Sequence, residues 1–144
     1  MAKSESRIFN ILYADDNPSD IELASEALDE ACLQCRFFSV RDGEEALEFL
    51  HQHGKFTRNT PRPHLILLDW NMPKINGLEV LQTIKSDKNL YTIPSIMFTS
   101  SSREEDIRAA YGAGANCYVV KPIHLDLFLL RIKSIVQHWK NVAR

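Results

Sequence analysis

The stretch Leu65-Ile66-Leu67-Leu68-Asp69-Trp70-Asn71-Met72-Pro73 decides how this chain folds. Four consecutive apolar side chains with no polar alternation are what a strand covered on both faces requires, and such strands belong to parallel sheets flanked by helices. The run stops abruptly at a carboxylate and passes into residues that favour turns. Upstream, His53 to His64 carries Gly54, Pro61 and Pro63; the prolines forbid a helix through it, so it is expected to be a loop. Downstream, Asn76-x-x-Glu79 has capping-box spacing and opens a helix with Val80, Leu81 and Ile84 on its apolar side.

Outward from this unit the same alternation recurs. Ile8 to Ala14 reads as a first strand ending at Asp15-Asp16, and Asn17-Pro18 starts a helix with Ile21, Ala24, Leu28 and Ala31 on one face. Cys35 to Val40 is a second strand, followed by a helix capped by Asp42-x-x-Glu45 that buries Ala46, Leu47 and Leu50. Ile93 to Phe98 is a fourth strand ending at Thr99; Ser102-x-x-Glu105 caps the next helix, which Gly112 and Gly114 terminate. Asn116 to Val120 is a fifth strand ending at Lys121-Pro122, and a last helix runs from about Leu125 to Lys140. Five strands alternating with five helices predict an α/β fold, a doubly wound parallel sheet with helices on both faces.

Composition agrees with one such domain. The chain has 144 residues, 44% hydrophobic and 25% charged, with five Gly and six Pro, which excludes collagen-like or disordered material. A formal net charge of −2 supplies no basic footprint, so nucleic acid is not an expected partner. No strictly apolar run exceeds four residues, so no membrane insertion is expected. The polar start, Met1 to Arg7, lacks a signal-peptide core. A cytoplasmic single-domain protein is expected. Three cysteines, an odd number, do not suit a disulfide framework. Cys32-x-x-Cys35 falls at the C-terminal end of the first helix, where the dipole disfavours a thiolate, so a structural role is expected rather than metal or redox chemistry. His51 and His53 follow a different helix and offer no set of zinc ligands.

The chemistry lies in where the strands end. Asp15 and Asp16 follow the first strand, Asp69 the third, Thr99 the fourth and Lys121 the fifth. Open parallel sheets bind ligands outside the carboxyl ends of their strands. Three carboxylates gathered there would repel one another unless a cation intervened. Mg²⁺ suits the set, because it takes one or two carboxylates and leaves room for a phosphoryl oxygen. Lys121 adds a point charge and Thr99 a hydroxyl donor. The edge reads as a phosphoryl-accepting site.

Asp15-Asp16, Asp69-Trp70-Asn71-Met72-Pro73, Thr99-Ser100-Ser101 and Tyr118-Val119-Val120-Lys121-Pro122 resemble the receiver domain of bacterial two-component response regulators, in family order and across about Ile8 to Trp139. The resemblance implies a flavodoxin-like sheet of order 2-1-3-4-5. It implies Asp69 as phosphoacceptor, with Asp15, Asp16, Asp69 and the backbone carbonyl of Asn71 around Mg²⁺ or Mn²⁺. Lys121 would pair with the phosphoryl group, Thr99 would move to hydrogen-bond it, and Tyr118 would turn inward behind Thr99. It also implies a cis Lys121–Pro122 bond. The expected domain is a single receiver over residues 1–144, with a core of about 8–140 and no output domain. Its partners would be a histidine kinase or phosphotransfer protein and a downstream protein target.

Each feature also has a plainer reading: Asp15-Asp16 as charge at a helix start, Asp69 as a turn residue, Ser101 or Ser102 as a cap, Tyr118 as a packed strand aromatic. The four motifs together favour the functional reading. A phosphatase with an aspartyl-phosphate intermediate would need a carboxylate two residues after Asp69, where Asn71 stands. A phosphorylation-independent scaffold is the other alternative. The last helix holds more apolar positions than one buried stripe needs, from Leu125 to Trp139, so it is either a broad core helix or a contact surface. The resemblance favours a homodimer or partner contact through the face of the fourth helix, fifth strand and fifth helix. The long His53–His64 loop and the Asp16-Asn17-Pro18-Ser19-Asp20-Ile21 helix start resemble regulators paired with phytochrome-type kinases.

Overall fold

The strand Leu65–Leu68 is buried along its whole length, as its uninterrupted apolar run requires. In the computed structural model, which describes residues 8–32, 34–57 and 59–142, it is the central β3 of a five-stranded sheet. The polar start Met1 to Arg7, like Leu33 inside the Cys32–Cys35 motif, lies outside the described residues. The order along the chain is β1 (Phe9–Ala14), α1 (Pro18–Ala31), β2 (Cys35–Val40), α2 (Gly43–His51), β3, α3 (Gly77–Ser86), β4 (Ser95–Thr99), α4 (Glu104–Gly112), β5 (Cys117–Val120) and α5 (Leu125–Val142). All neighbouring strands are parallel, in the order β2-β1-β3-β4-β5.

Alternation within the strands divides the core in two. Ile11 and Tyr13 of β1, with Leu65 and Leu67 of β3, pack against Ala24 and Leu28 of α1 and Phe128, Ile132 and Val136 of α5. Leu12 and Ala14, with Ile66 and Leu68, face Phe49 of α2, Val80 and Ile84 of α3 and Ala110 of α4. The sheet is thus covered on both faces, and each fully buried Leu or Ile contributes about 1.5–3 kcal/mol. No described helix is long and apolar enough to cross a membrane.

Local signals set most element ends. Asn17 Oδ1 caps α1 by accepting from the Ser19 and Asp20 amides. Asn76 and Glu79 close a reciprocal capping box on α3. Asp42 accepts from the Glu45 amide at the start of α2, while Glu45 reaches back to the Arg41 amide, one residue beyond the cap.

Five expectations are corrected. The fourth strand begins at Ser95 rather than Ile93, because Pro94 has no N–H to give the ladder and only its carbonyl pairs, with the Ile66 amide. Ser102 does not cap α4: the helix starts at Glu104 after Arg103, without a side-chain cap, and Ser101 Oγ bonds to Asp106 instead. Ala31 is exposed, and Ala27 takes its place in the buried stripe of α1. The peptide bond before Pro122 is trans, the isomer a prolyl amide intrinsically favours, and Lys121 reaches its partners from it. Finally, Cys32 and Cys35 are joined by a disulfide, leaving Cys117 free. The turn from α1 into β2 brings their Cα atoms to 5.4 Å, within bonding reach.

Candidate functional site

Three ladder bonds that continue past the strand ends put the polar residues in place. The Asp15 amide donates to the Val40 carbonyl, the Asp69 amide to that of Ala14, and the Lys121 amide to that of Thr99. Each residue is therefore the last one held by its neighbour strand, and its side chain emerges at the carboxyl edge of the sheet.

Lys121 stands at the centre. Its Nζ donates to Asp15 Oδ2 at 2.6 Å, Asp20 Oδ2 at 2.8 Å and Asp69 Oδ2 at 3.1 Å. Burial alone would lower its pKa, but the charges of Asp69, Asp15 and Asp20 outweigh that and hold it above the ordinary lysine range. Asp15 is only 1% exposed. Burial pushes its carboxyl up to about 6, against the opposing pull of Lys121 and the Asn17 amide. Both its oxygens are engaged: Oδ1 accepts from the Asn17 amide at 3.0 Å, and Oδ2 accepts from Lys121 and from the Tyr13 hydroxyl at 3.1 Å. Burial, followed by the charge of Asp15, raises the Tyr13 pKa, so this hydroxyl keeps its proton and acts as a donor.

Asp15, Asp16 and Asp69 each offer a carboxylate oxygen, all within 4.8 Å of one another. Asp16 is exposed and Asp69 half-buried, and Asn71 lies exposed two residues further on. An all-oxygen cluster of this kind, with one saturated and two freer carboxylates, fits a hard divalent cation that retains part of its water. On the next strand Thr99 is fully buried, and its Oγ1 has no hydrogen-bond partner. A buried hydroxyl left in that state costs about 1–3 kcal/mol. Tyr118, also expected here, instead donates its hydroxyl to the Ser101 carbonyl at 2.9 Å.

The structure therefore gathers Asp15, Asp16, Asp69 and Lys121 at one edge, with Thr99 on the adjoining strand. Three residues were not anticipated. Asp20 joins through Lys121; its signal in the sequence was a carboxylate in the first turn of α1. Tyr13 is a polar-tipped residue buried among the apolar side chains of β1. Gly77 lies against the Asp69 carbonyl so closely that a Cβ would sit 2.0 Å from that oxygen. His51, set aside as a zinc ligand, bonds Asp87 Oδ2 at 3.0 Å.

This geometry can be compared with known proteins. The model of the response regulator receiver domain matches residues 11–133. The chain belongs to the response regulator receiver family. Receivers are signalling domains of two-component systems. This one is 40% identical over 130 residues to the response regulator Rcp1 of a Synechocystis species, covering 90% of this chain and 87% of that protein. The phosphorylated cyanobacterial phytochrome response regulator RcpA superposes with a TM-score of 0.90 at 39% identity, covering 95% of this receiver and 97% of RcpA. The Mn²⁺-bound form of Rcp1 gives a TM-score of 0.85 at 37% identity, covering 91% and 94% of the two chains. These neighbours share the five-stranded 2-1-3-4-5 architecture.

Proposed function

We propose that this receiver is a phosphorylation-controlled switch that accepts a phosphoryl group on Asp69 from a histidine kinase or a phosphotransfer protein. The supporting observation is that Lys121 and Asp69, 52 residues apart in the chain, meet at 3.1 Å at the strand-end edge. The Asp69 carboxylate attacks the phosphorus of a phosphohistidine; the new O–P bond forms as the P–N bond breaks and the imidazole leaves. Catalysis is positioning together with charge stabilisation of an in-line transfer. Trp70 contributes to the positioning, because its amide donates to Asp69 Oδ1 at 2.7 Å and leaves Oδ2 toward Lys121.

Asp15, Asp16, Asp69 and the backbone carbonyl of Asn71 would hold Mg²⁺, or Mn²⁺ as in the Rcp1 relative, and the ion supplies positive charge to the phosphoryl oxygens when bound. Lys121 gives up part of its hold on Asp69 to meet the transferred group. The unpartnered Thr99 hydroxyl donates to a phosphoryl oxygen, and Tyr118 leaves Ser101 to fill the space behind Thr99. The reaction is confined to the protein's own phosphorylation and dephosphorylation, so the domain is a signalling module rather than an enzyme.

The reading extends to a cytoplasmic receiver with its core over about 8–140 and a phytochrome-type kinase as donor, which the likeness to RcpA supports. Its output is a protein contact. Val120 and Ile123, with Leu127 and Leu130 of α5, are exposed beside the β5 edge, and they support a downstream partner or a homodimer on the α4-β5-α5 face.

Trp70 reports the site in a Trp139→Phe background. Its fluorescence should respond saturably to Mg²⁺ and then to a small-molecule phosphodonor, with the second response absent in Asp69→Asn. Silence toward both ligands in a folded sample would overturn the mechanism and favour the scaffold alternative.

A further inference from the structure

The disulfide lies away from the phosphoryl site, where the end of α1 meets the last turns of α5. Cys32 is the C-cap of α1, in extended conformation, and Cys35 opens β2. Both are half-buried rather than sealed. Beside Cys32 a cleft of about 130 Å³ runs between the two helices, lined by Ala31, Lys133, Gln137 and Lys140. Lys140 Nζ stands 3.5 Å from Cys32 Sγ. Lys133 is the second cation on the rim, held loosely by Glu30 at 3.4 Å.

A purely structural bond would be placed differently. Closing a loop this short constrains the unfolded chain least, and both core clusters assemble from residues outside the motif apart from partial packing of Cys35. The position at a helix C-terminus argues against a stable Cys32 thiolate. That objection is met by the neighbouring ammonium, since an adjacent lysine stabilises a thiolate directly. A cation at the sulfur, an open cleft beside it and a second thiol three residues beyond form a thiol–disulfide exchange site.

We propose that Cys32 and Cys35 are a reversible redox couple exchanging with a carboxylate-bearing low-molecular-weight thiol that enters this cleft. In the reducing direction the thiolate attacks Cys32 Sγ, and the electron pair of the broken S–S bond leaves on Cys35, which takes a proton. A second thiol then attacks the sulfur of the small molecule in the mixed disulfide. Cys32 departs as a thiolate facing Lys140, and the small molecule leaves as its own disulfide. Two electrons reduce the cystine and two thiols are oxidised. The oxidising direction retraces these steps, with Cys32 as nucleophile and Cys35 as resolving thiol. Nothing in this depends on phosphorylation of Asp69.

The test uses the full chain with Cys117→Ser, which removes the free thiol. The protein is equilibrated in buffers of reduced and oxidised glutathione at varied ratio, quenched in acid, alkylated and weighed intact. The expected result is a two-thiol transition within the range of the buffers. With Cys35→Ser, Cys32 should be trapped as one glutathione adduct, and Lys140→Gln should slow that trapping several-fold. Circular dichroism checks the fold of each variant, and the first titration needs neither. The proposal is overturned if the pair stays wholly oxidised until denaturant is added, if it stays wholly reduced throughout, or if Cys35 in a Cys32→Ser variant is trapped as fast as Cys32.

Discussion

Lys121 Nζ and Asp15 Oδ2 lie 2.6 Å apart although 106 residues separate them in the chain, and both side chains are almost completely buried. The same ammonium also answers Asp20 and Asp69, so one cation neutralises a cluster that would otherwise be mutually repulsive. Removing it should be costly. Lys121→Met is expected to destabilise the metal-free protein by about 3–5 kcal/mol, the usual cost of leaving buried charge unpaired. Urea unfolding measures this, and Mg²⁺ should restore part of the loss. An unchanged midpoint would mean that the carboxylates do not need the lysine.

The Asp15 carboxyl gives a pH dependence of opposite sense to most carboxylates. Its pKa is raised from 3.8 to about 6 in the fold, chiefly by burial. The folded protein therefore binds this proton more readily than the unfolded chain does. Its contribution to stability is greatest below about pH 4 and is lost as pH rises through 6. Without metal, the wild type should lose stability relative to Asp15→Asn between pH 4.5 and 7, as read from urea midpoints at about half-unit steps. A flat difference would show that the charged form is accommodated without penalty.

Tyr13 acts on the site through Asp15. Tyr13→Phe keeps the ring contacts with Phe37 and Phe98 but removes the donor to Asp15 Oδ2. Losing a partner behind a cation-binding carboxylate typically costs about tenfold or more in metal affinity. The expected result is a Mn²⁺ or Mg²⁺ titration of Trp70 fluorescence shifted by roughly that factor, with stability changed by only about 1 kcal/mol.

Thr99 predicts a gain. Its hydroxyl is buried and unpartnered, so Thr99→Val should stabilise the unphosphorylated protein by about 1 kcal/mol or more. The same change should abolish any stabilisation produced by a phosphodonor. Thermal melts with and without the donor distinguish the two effects. A destabilised variant would imply a partner for the hydroxyl in solution.

Gly77 tests the backbone beneath Asp69. Its amide donates to the Trp70 carbonyl, and a Cβ there would meet the Asp69 carbonyl oxygen and carbon at 2.0 and 2.9 Å. Both contacts are with backbone, so Gly77→Ala must displace the turn that carries Asp69. Overpacking of this kind costs about 1–3 kcal/mol. Phosphorylation rate should fall as well, even though alanine is the better helix former. A variant with wild-type phosphorylation would show that the turn can shift without moving the carboxylate.

The sequence by itself determined the architecture and which polar residues stand where the strands end. Leu65–Leu68 could only be a doubly covered strand, the Asn17, Asp42 and Asn76 caps set three helix starts, and Asp15, Asp16, Asp69, Thr99 and Lys121 each stood at a strand end. Period and capping are local properties, legible within a few residues. The contacts that complete the site are not local. Asp20 meets Lys121 across 101 residues, and no spacing records that meeting. Likewise, the apolar content of α5 could not say which leucines would be covered. Packing against α1 and the sheet buries Phe128 and Ile132 and leaves Leu127 and Leu130 exposed. The bond between Cys32 and Cys35 was decided at this level too, by the turn that brings two thiols together and by a lysine arriving from the far end of the chain. Side-chain chemistry proposes candidates, and only the three-dimensional path of the backbone selects which of them touch.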